Sequence, residues 1–271
     1  MQDMDKELAV KYGKLTDILR GLDGVVVAFS GGVDSTLLAR AAFDVLGEMA
    51  LAVTAASSTY TAEENQAAVA AAGHIGIRHR LIETSEMDDE RFVSNPPERC
   101  YYCKRELFVS LRHIADEEGL AWVIEGSNTD DLRDFRPGNR AVTETGARSP
   151  MVEAGLSKED IRRISRALGL PTWNKPSMAC LASRIPYGTK LTVENLHRVA
   201  QAEKLLRDLG FGQVRVRDYG DLARIEVEAE KLPEALQLAG EILPGLTALG
   251  YKYVTLDLAG FRSGSMNLAL A

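Results

Sequence analysis

The residues from Phe29 to Ser35 combine two glycines, two hydroxyl side chains and one carboxylate, a composition suited to binding an anion. The apolar run at 25–28 predicts a short buried strand, and the spacing of apolar residues over 35–43 predicts a helix. A helix N-terminus presents unpaired N–H groups and the positive end of its dipole, and Gly31 and Gly32 allow backbone amides to approach a phosphate closely. The sequence therefore predicts a phosphate-binding turn between a strand and a helix.

The side chains of this turn extend the same chemistry. Ser30 and Ser35 can donate hydroxyl hydrogen bonds to a phosphate, and Asp34 can hold Mg²⁺ directly or through water. The turn lacks the lysine of the G-x-x-x-x-G-K-[ST] loop. The string S-G-G-V-D-S, which includes Val33, resembles the PP-loop of the ATP pyrophosphatase superfamily, whose members split ATP between its α and β phosphates. The alternative interpretation is an ordinary glycine-rich turn.

A parallel sheet is expected to position this turn. Predicted strands alternate with helical patterns, which is the order of an α/β fold with helices on both faces of a parallel sheet. Ligands of such sheets lie at the carboxyl ends of the strands. The predicted strands are 25–28, 51–55, 78–83 and 121–125, and further predicted helices are 5–21, 61–72 and 158–168.

A second glycine turn follows the fourth predicted strand. Gly126 opens the segment G-S-N-T-D-D, which resembles a turn lining the ATP pocket in the same superfamily. The alternative interpretation is a turn in which Asn and Asp side chains bond to their own backbone. Because both glycine turns follow strand ends, we expect Gly126 to lie beside the nucleotide.

Three cysteines form the next candidate group: Cys100 and Cys103 in a C-x-x-C, and Cys180. A redox pair would place a C-x-x-C at a helix start in a different fold, and a zinc site would need four ligands. Three thiolates can hold three irons of a [4Fe–4S] cluster and leave the fourth iron open to bind sulfide. Inert, partly buried thiols are the fourth interpretation.

Cys180 lies in a long segment, 171–188, whose prolines exclude one continuous helix. A loop of this length inside a compact domain is usually functional. Lys175 and Arg184 are near in sequence, and cations near in space would favour a Cys180 thiolate, a strong nucleophile toward an adenylated carbonyl. We place a domain boundary near Gly188, giving domains 1–188 and 189–271.

The second domain reads as a small α+β unit with the order helix, strand, strand, helix, strand. Strand alternation would place Arg215, Arg217 and Arg224 on one polar face if the strand pair is in register. Arginine binds phosphate oxygens in a bidentate manner, so this face is a candidate phosphate site. A solvated sheet face is the other interpretation.

Composition limits the function classes. The chain of 271 residues has a net charge of −7 and is 45% hydrophobic, so we expect a folded protein with a sizeable core. The sequence contains no run of about 18 apolar residues, so we expect no membrane span. The first residues lack the apolar region of a signal peptide, so we expect a cytoplasmic protein. The acidic balance and the absence of a basic run argue against a nucleic-acid partner.

Five motifs together resemble the ATP-dependent sacrificial sulfur transferase family, LarE, over nearly the whole chain. They are S-G-G-V-D-S, E-R-C-Y-Y-C-K, E-G-S-N-T-D-D, K-P-S-M-A-C-L-A-S-R-I-P-Y-G and G-F-R-S-G-S-M-N. The resemblance implies ATP and Mg²⁺ as cofactors and a small-molecule nucleotide as substrate. It implies adenylation of the carboxylates of pyridinium-3,5-dicarboxylate mononucleotide and their conversion to thiocarboxylates, in the synthesis of the nickel-pincer nucleotide cofactor of lactate racemase.

The resemblance leaves two sulfur sources. In one branch of the family a cysteine at the position of Cys180 forms a thioester, and its C–S bond then breaks to leave dehydroalanine. In the other branch three cysteines hold a [4Fe–4S] cluster that carries an extra sulfide. Because this chain has all three cysteines, the resemblance favours the cluster branch. It also implies a homo-oligomer, with a hexamer as one form, and substrate binding by Arg184, Arg215 and Arg217.

Three other functions share some of these features. A tRNA thiolase of the same superfamily would also use a PP-loop, a cluster and three cysteines, but it would require a surface that binds RNA. An ATP-binding sensor would release no pyrophosphate with any carboxylate. An ammonia-using synthetase would tolerate Cys-to-Ser changes at all three cysteine positions.

Overall fold

A computed structural model of the chain describes residues 5–133, 137–176, 179–262 and 264–270. Ser177 and Met178 of the predicted cysteine motif lie outside this range, as does Ser263 of the last motif. In chain order the helices are α1 Lys6–Arg20, α2 Val33–Leu46, α3 Ala62–Ile75, α4 Glu90–Val93, α5 Arg99–Glu117, α6 Gly138–Glu144, α7 Pro150–Glu153, α8 Lys158–Ala167, α9 Val193–Asp208, α10 Leu232–Gln237 and α11 Ala239–Ala248. The strands are β1 Val25–Ala28, β2 Ala50–Ala56, β3 Arg78–Glu83, β4 Trp122–Ile124, β5 Val214–Tyr219, β6 Leu222–Val227 and β7 Tyr253–Leu256.

The chain divides into two compact units. The first comprises Met1–Glu86 and Glu98–Met178, and the second comprises Met87–Pro97 and Ala179–Ala271.

The first unit is built on a four-stranded sheet of order β3-β2-β1-β4, in which every neighbouring pair is parallel. Val25 and Val27 of β1 point into one apolar core with α1 and α2, whereas Val26 points into a second core with Phe108 and Leu111 of α5. Successive side chains of a strand alternate between faces, so an entirely apolar strand must be covered on both sides. The predicted α/β fold is confirmed.

Helix α3 shows one difference from the predicted boundaries. It continues through Gly73, where the prediction ended it, and stops at Gly76, whose φ is +84°. Gly76 adopts the left-handed conformation that closes many helices, and its N–H bonds the carbonyl of Ala72. At the other end, Thr61 and Glu64 form a reciprocal capping box.

The second unit contains a three-stranded sheet of order β5-β6-β7. β5 and β6 are antiparallel, β6 and β7 are parallel, and Arg217 lies directly opposite Arg224. Val216 and Ile225 face an apolar core shared with α9 and α11. The strand pair is therefore in the predicted register, and its arginines share the opposite face.

The division between the units differs from the predicted boundary at residue 188. The second unit already includes the chain from Ala179, together with Met87–Pro97. The N–H groups of Gly188 and Leu191 donate to the carbonyls of Asn95 and Val93, at 2.9 and 2.8 Å. These long-range bonds explain why Met87–Pro97 belongs with the second unit.

Among the described residues, no helix combines the length and the apolar character that crossing a membrane requires.

Candidate functional site

The predicted phosphate-binding turn lies between the end of β1 and the start of α2, at the carboxyl edge of the sheet. Gly32 is the N-cap of α2 and offers no side-chain acceptor to the first N–H groups of this 14-residue helix. Gly31 has a φ of +62°, and a Cβ there would lie 2.6 Å from the Cα of Ala68 in α3. Only glycine fits this position, which lets the turn pack closely against α3 directly before the first N–H groups of α2.

Two hydroxyl groups hold the turn in shape. The Ser35 hydroxyl accepts a hydrogen bond from the Ser30 N–H at 3.2 Å and lies 3.1 Å from the Ser30 hydroxyl. The Ser30 hydroxyl also accepts from the Gly32 N–H at 3.3 Å. Both serines therefore stabilise the turn in addition to being candidate phosphate donors.

Asp34, the predicted Mg²⁺ ligand, is held from two other elements. Its Oδ1 accepts from the Asn128 amide at 3.3 Å, and its Oδ2 pairs with the ammonium group of Lys158. Lys158 is the first residue of α8, so α8 delivers a cation to the edge of the turn. The Asp34 side chain is 24% exposed, and carboxylate oxygens are ligands that a hard cation such as Mg²⁺ prefers.

A second ammonium group lies against the turn. Lys175 donates to the Gly31 carbonyl at 3.0 Å. Burial lowers the pKa of Lys175 from its ordinary value, although the negative charge of Glu64 opposes the shift. The phosphate turn therefore has two lysines beside it, Lys158 and Lys175.

Gly126 packs against the same turn. A Cβ on Gly126 would lie 3.2 Å from the Ser35 nitrogen and 3.4 Å from the Asp34 carbonyl carbon. The two glycine turns therefore meet at the sheet edge, as their positions after strand ends suggested.

The residue before Gly126, Glu125, is buried and connects this edge to the cysteine helix. Its carboxylate accepts from the Ser127 N–H at 3.1 Å and from the Ser149 hydroxyl at 2.5 Å. The ammonium group of Lys104 lies 3.7 Å from its Oε2. Lys104 follows Cys103 directly, so the Glu125 carboxylate contacts both the turn that begins at Gly126 and α5.

The C-x-x-C occupies the start of α5. Cys100 and Cys103 are the second and fifth residues of this 19-residue helix, so their side chains lie one turn apart on one face. Cys100 is exposed, Cys103 is half-buried, and neither forms a disulfide. Glu98, the N-cap, makes no side-chain capping bond. A first helical turn favours negative charge, and Cys100 lies in that turn with Cys103 directly after it.

Cys180 belongs to the second unit, where Arg184 holds its backbone. Arg184 Nη1 donates to the carbonyl of Cys180 at 3.0 Å, to the carbonyl of Ala179 and to the Ser183 hydroxyl. Its Nε and Nη2 donate to the two oxygens of Glu203 at 2.8 and 3.0 Å. The Arg184 side chain is only 3% exposed. Arg184 thus shapes the chain around Cys180, and its predicted contact with substrate stays a prediction.

Glu203 and Arg215 lie in the same charged cluster. Burial acts to raise the pKa of Glu203, but the charge and hydrogen bonds of Arg184 and the charge of Arg215 outweigh it and lower the pKa. Burial lowers the pKa of Arg215 to about 10, and the positive charges of Arg184, Arg217 and Arg207 add to this, while Glu203 opposes it. Around Arg215, guanidinium groups therefore outnumber carboxylates, which favours an anion.

Arg217 is held on the same sheet face. Its Nη2 donates to Glu226 at 2.6 Å and to the Ser265 hydroxyl at 2.9 Å, and its Nη1 donates to the Ser183 carbonyl at 3.1 Å. Its buried Nε has no acceptor among the described residues. Because Arg215 and Arg217 are 8% and 5% exposed, the interpretation of a solvated face is wrong for both.

Comparisons with known proteins agree with this geometry. A family model described as NAD synthase matches residues 5–95, which include the glycine turn and the first three strands. A pyridinium-3,5-bisthiocarboxylic acid mononucleotide synthase of Lactiplantibacillus plantarum is 42% identical over 261 residues, 96% of this chain and 95% of that protein. The chain belongs to the LarE family of PP-loop sulfur transferases.

Two uncharacterised proteins are also similar. One from Synechocystis sp. is 48% identical over 265 residues, covering 97% of this chain and 99% of its own length. One from Methanocaldococcus jannaschii is 30% identical over 240 residues, covering 88% of this chain and 91% of its own. LarE membership makes the chain an ATP-dependent enzyme, and ATP with Mg²⁺ fits the turn around Asp34.

An iron–sulfur cluster is a separate question for this LarE chain. Among the described residues, no three or more His, Cys, Asp or Glu side chains group as metal ligands. Cys100 and Cys103 nevertheless have the chemistry and the spacing of two thiolate ligands, since both lie on one face of α5. Cys180 belongs to the other compact unit. The cysteine pair fits a cluster, and the third ligand remains a prediction.

Sequence reasoning did not single out Lys158 or Glu203, although the structure pairs them with Asp34 and Arg184. It included Asn128 only as part of the G-S-N-T-D-D turn, without a role of its own. A lysine at the first position of a helix opposes the helix dipole, and this unfavourable placement was a usable signal for Lys158. Glu203 lies on a helix of ordinary amphipathic pattern, so nothing in the local sequence distinguished it from a surface carboxylate.

Proposed function

We propose that the chain is a sulfur transferase that converts the two carboxylates of pyridinium-3,5-dicarboxylate mononucleotide to thiocarboxylates with ATP, for the nickel-pincer nucleotide cofactor. The observation that carries the proposal is the 42% identity, across 96% of the chain, to a protein named as the synthase of the corresponding bisthiocarboxylic acid mononucleotide. The phosphate turn and the arginine cluster supply suitable chemistry for its two anionic ligands.

In the first step the substrate is adenylated, because a carboxylate is a poor electrophile. A carboxylate oxygen attacks the α-phosphorus of ATP, the bond to the bridging oxygen breaks, and pyrophosphate leaves with that electron pair. The amides around Gly31 and Gly32 and the ammonium groups of Lys158 and Lys175 stabilise the charge on the departing pyrophosphate. Asp34 is the residue that would hold Mg²⁺.

In the second step sulfur attacks the acyl carbon, and AMP leaves. A [4Fe–4S] cluster held by three thiolates would supply an open iron at which sulfide can bind. We assign Cys100, Cys103 and Cys180 as its ligands, and the sacrificial use of Cys180 is the competing route. For either route Arg184 fixes the carbonyl of Cys180, which fixes the path of the backbone at that residue.

The phosphate of the substrate is assigned to the arginine cluster. Arg215 lies among three further guanidinium groups with Glu203 as a nearby counter-charge, and Arg217 retains a buried Nε donor. Arginine suits phosphate because its planar donors match two phosphate oxygens. We assign Arg215 and Arg217 to this contact and place Arg184 behind them as a support.

Association of copies is proposed for the second unit. Tyr253 of β7 and the nearby Leu258 are 64% and 85% exposed, and β7 is an edge strand of its sheet. Exposed apolar side chains along an edge are a common basis of self-association. Light scattering of the purified chain tests for a homo-oligomer, and a monomer at all concentrations would contradict it.

The central experiment uses anaerobically purified full-length protein. Bound iron is counted, and the intact mass is measured before and after turnover with ATP, Mg²⁺ and the dicarboxylate mononucleotide. Thiocarboxylate product, unchanged protein mass and bound iron support the cluster route. Product with loss of H₂S from Cys180 supports the sacrificial route, and no thiocarboxylate at all overturns the substrate assignment.

Cysteine variants separate the roles in the same assay. Cys100→Ser and Cys103→Ser should remove iron and sulfur transfer if the cluster is used, and should leave one turnover intact if Cys180 is consumed. Cys180→Ser should stop thiocarboxylate formation in both cases. Pyrophosphate release should persist in all three variants, because the adenylating turn is unaltered.

A further inference from the structure

The segment from Cys180 to Thr189 has little regular structure beyond a short 3-10 turn at Leu181–Arg184. Side-chain donors nevertheless hold its backbone carbonyls at both ends. At the first end Arg184 bonds the Cys180 carbonyl. At the second end the amide of Asn95 donates to the carbonyls of Pro186 at 2.8 Å and Thr189 at 3.0 Å, with the Ile185 carbonyl at 3.4 Å.

Asn95 is closely fitted to this role. It is fully buried, and its φ of +56° is a left-handed conformation that few residues other than glycine and asparagine adopt. A side-chain amide has two N–H donors, and Pro186 and Thr189 accept both. The backbone carbonyl of Asn95 in turn accepts a hydrogen bond from the Gly188 N–H at 2.9 Å. One residue thus satisfies backbone groups of three positions in the loop.

Other residues at position 95 cannot make the same hydrogen bonds. Aspartate has the same shape but, when ionised, it has no donor for the two carbonyls. Alanine lacks the amide and is strained at a positive φ, whereas glycine lacks the amide without that strain. The three substitutions therefore separate loss of the hydrogen bonds from strain in the backbone.

We propose that Asn95 is a positioning residue for Cys180. Asn95 anchors the distal end of the Cys180–Thr189 loop, and Arg184 anchors the proximal end. The expected effect of Asn95 on turnover rests on the proposed function, whereas its effect on the loop does not. A displacement of about 1 Å in a reacting group can lower a rate about 100-fold, so loss of one anchor is expected to impair sulfur transfer far more than adenylation.

The test compares Asn95→Gly with Lys190→Ala in the full chain. Lys190 pairs with Glu90 at 3.2 Å, with both side chains more than 60% exposed, so it links the same two segments without reaching the buried carbonyls. In Asn95→Gly we expect faster deuterium exchange at 181–191, ATP–pyrophosphate exchange within twofold of the unaltered chain, and about 100-fold slower thiocarboxylate formation. Lys190→Ala should match the unaltered chain in all three measurements.

Further variants and outcomes decide the inference. Asn95→Asp should be at least as impaired as Asn95→Gly, and Asn95→Ala should unfold at lower urea than Asn95→Gly. Unchanged exchange at 181–191 in Asn95→Gly would overturn the proposal, as would faster exchange with normal sulfur transfer. A parallel loss of adenylation and sulfur transfer would indicate a merely structural role and would also overturn it.

Failure of the proposed function has a different signature, because the unaltered chain would then make no thiocarboxylate. In that case the alkylation of thiols by iodoacetamide in the iron-free chain decides the inference. Asn95→Gly should change the rate at Cys180 relative to Cys100 at least tenfold if the loop is positioned by Asn95. An unchanged ratio would refute the positioning role independently of the reaction.

Discussion

The buried ion pair between Arg184 and Glu203 predicts how strongly the stability of the second unit depends on the charge of Glu203. Glu203→Gln preserves the shape of the side chain but leaves the Arg184 guanidinium buried without its counter-charge. The two side chains are 3% and 2% exposed, and the closest N–O distance is 2.8 Å. Removing one partner from a pair this deeply buried is expected to lower the free energy of unfolding by about 3–5 kcal/mol.

The pH dependence of the free energy of unfolding gives a second test of the same ion pair. Burial acts to raise the pKa of Glu203, but pairing with Arg184 outweighs it, so the folded-state pKa lies below the ordinary value of 4.5. A carboxylate with a lowered folded pKa contributes stability above its unfolded pKa and loses it as the pH falls through the folded value. The unaltered chain should lose this contribution below about pH 4.5. In Glu203→Gln, the free energy of unfolding should fall less steeply as the pH is lowered through the same range.

Urea unfolding followed by circular dichroism, at pH 7 and through the acid range, measures both quantities. The matched control is Asp208→Asn, which breaks the exposed Lys204–Asp208 pair on the same helix, where the side chains are 56% and 63% exposed. Exposed pairs contribute about 0–1 kcal/mol, so this control should unfold almost as the unaltered chain does. If Glu203→Gln costs no more than Asp208→Asn, the reasoning from burial is refuted.

Three further predictions concern the phosphate turn. Gly31→Ala should weaken ATP binding at least tenfold because its Cβ would meet the α3 backbone at 2.6 Å, whereas Gly47→Ala, with a similar φ of +55° and open space, should leave ATP binding unchanged in calorimetry. Lys158→Ala should slow ATP–pyrophosphate exchange about 100-fold, as loss of one preorganised electrostatic contact does. Lys14→Ala, which removes an exposed lysine of α1, should leave the rate unchanged, and equal rates for the two variants would contradict the role of Lys158. Because burial lowers the pKa of Lys175, its ammonium group loses its proton at lower pH than that of an ordinary lysine. ATP affinity should therefore begin to fall below pH 10.5, and Lys175→Met should remove this early part of the fall.

The first unit was largely predictable from sequence because its signals are local. The apolar run at 25–28, the glycine pair and the helical spacing after it each act within a few residues, and the structure has β1 and α2 there. The helix end was misplaced at Gly73 because a glycine within a helix costs only about 1 kcal/mol, which the apolar core around Ala71 and Ala72 offsets.

The charged cluster of the second unit was predictable only in part. Strand alternation placed Arg215 and Arg217 on one face, and the register confirms this arrangement. Alternation cannot reveal whether a polar face is solvated, because that depends on what covers it. Glu226 lies on the paired strand itself, opposite Arg215, but Glu203 comes from α9 and Asn95 from 91 positions before Pro186. Only tertiary structure brings Glu203 to Arg184 and Asn95 to the loop.

The discontinuous second unit has a consequence for how the chain matures during synthesis. The contact from Asn95 to Thr189 spans 94 positions, so the early segment of this unit emerges from a ribosome well before its partners. At about 5–20 residues per second that interval lasts several seconds, during which the segment Met87–Pro97 has no completed unit to join. A fragment that begins after residue 178 would lack the same segment and would have to fold without the asparagine that closes its cysteine loop.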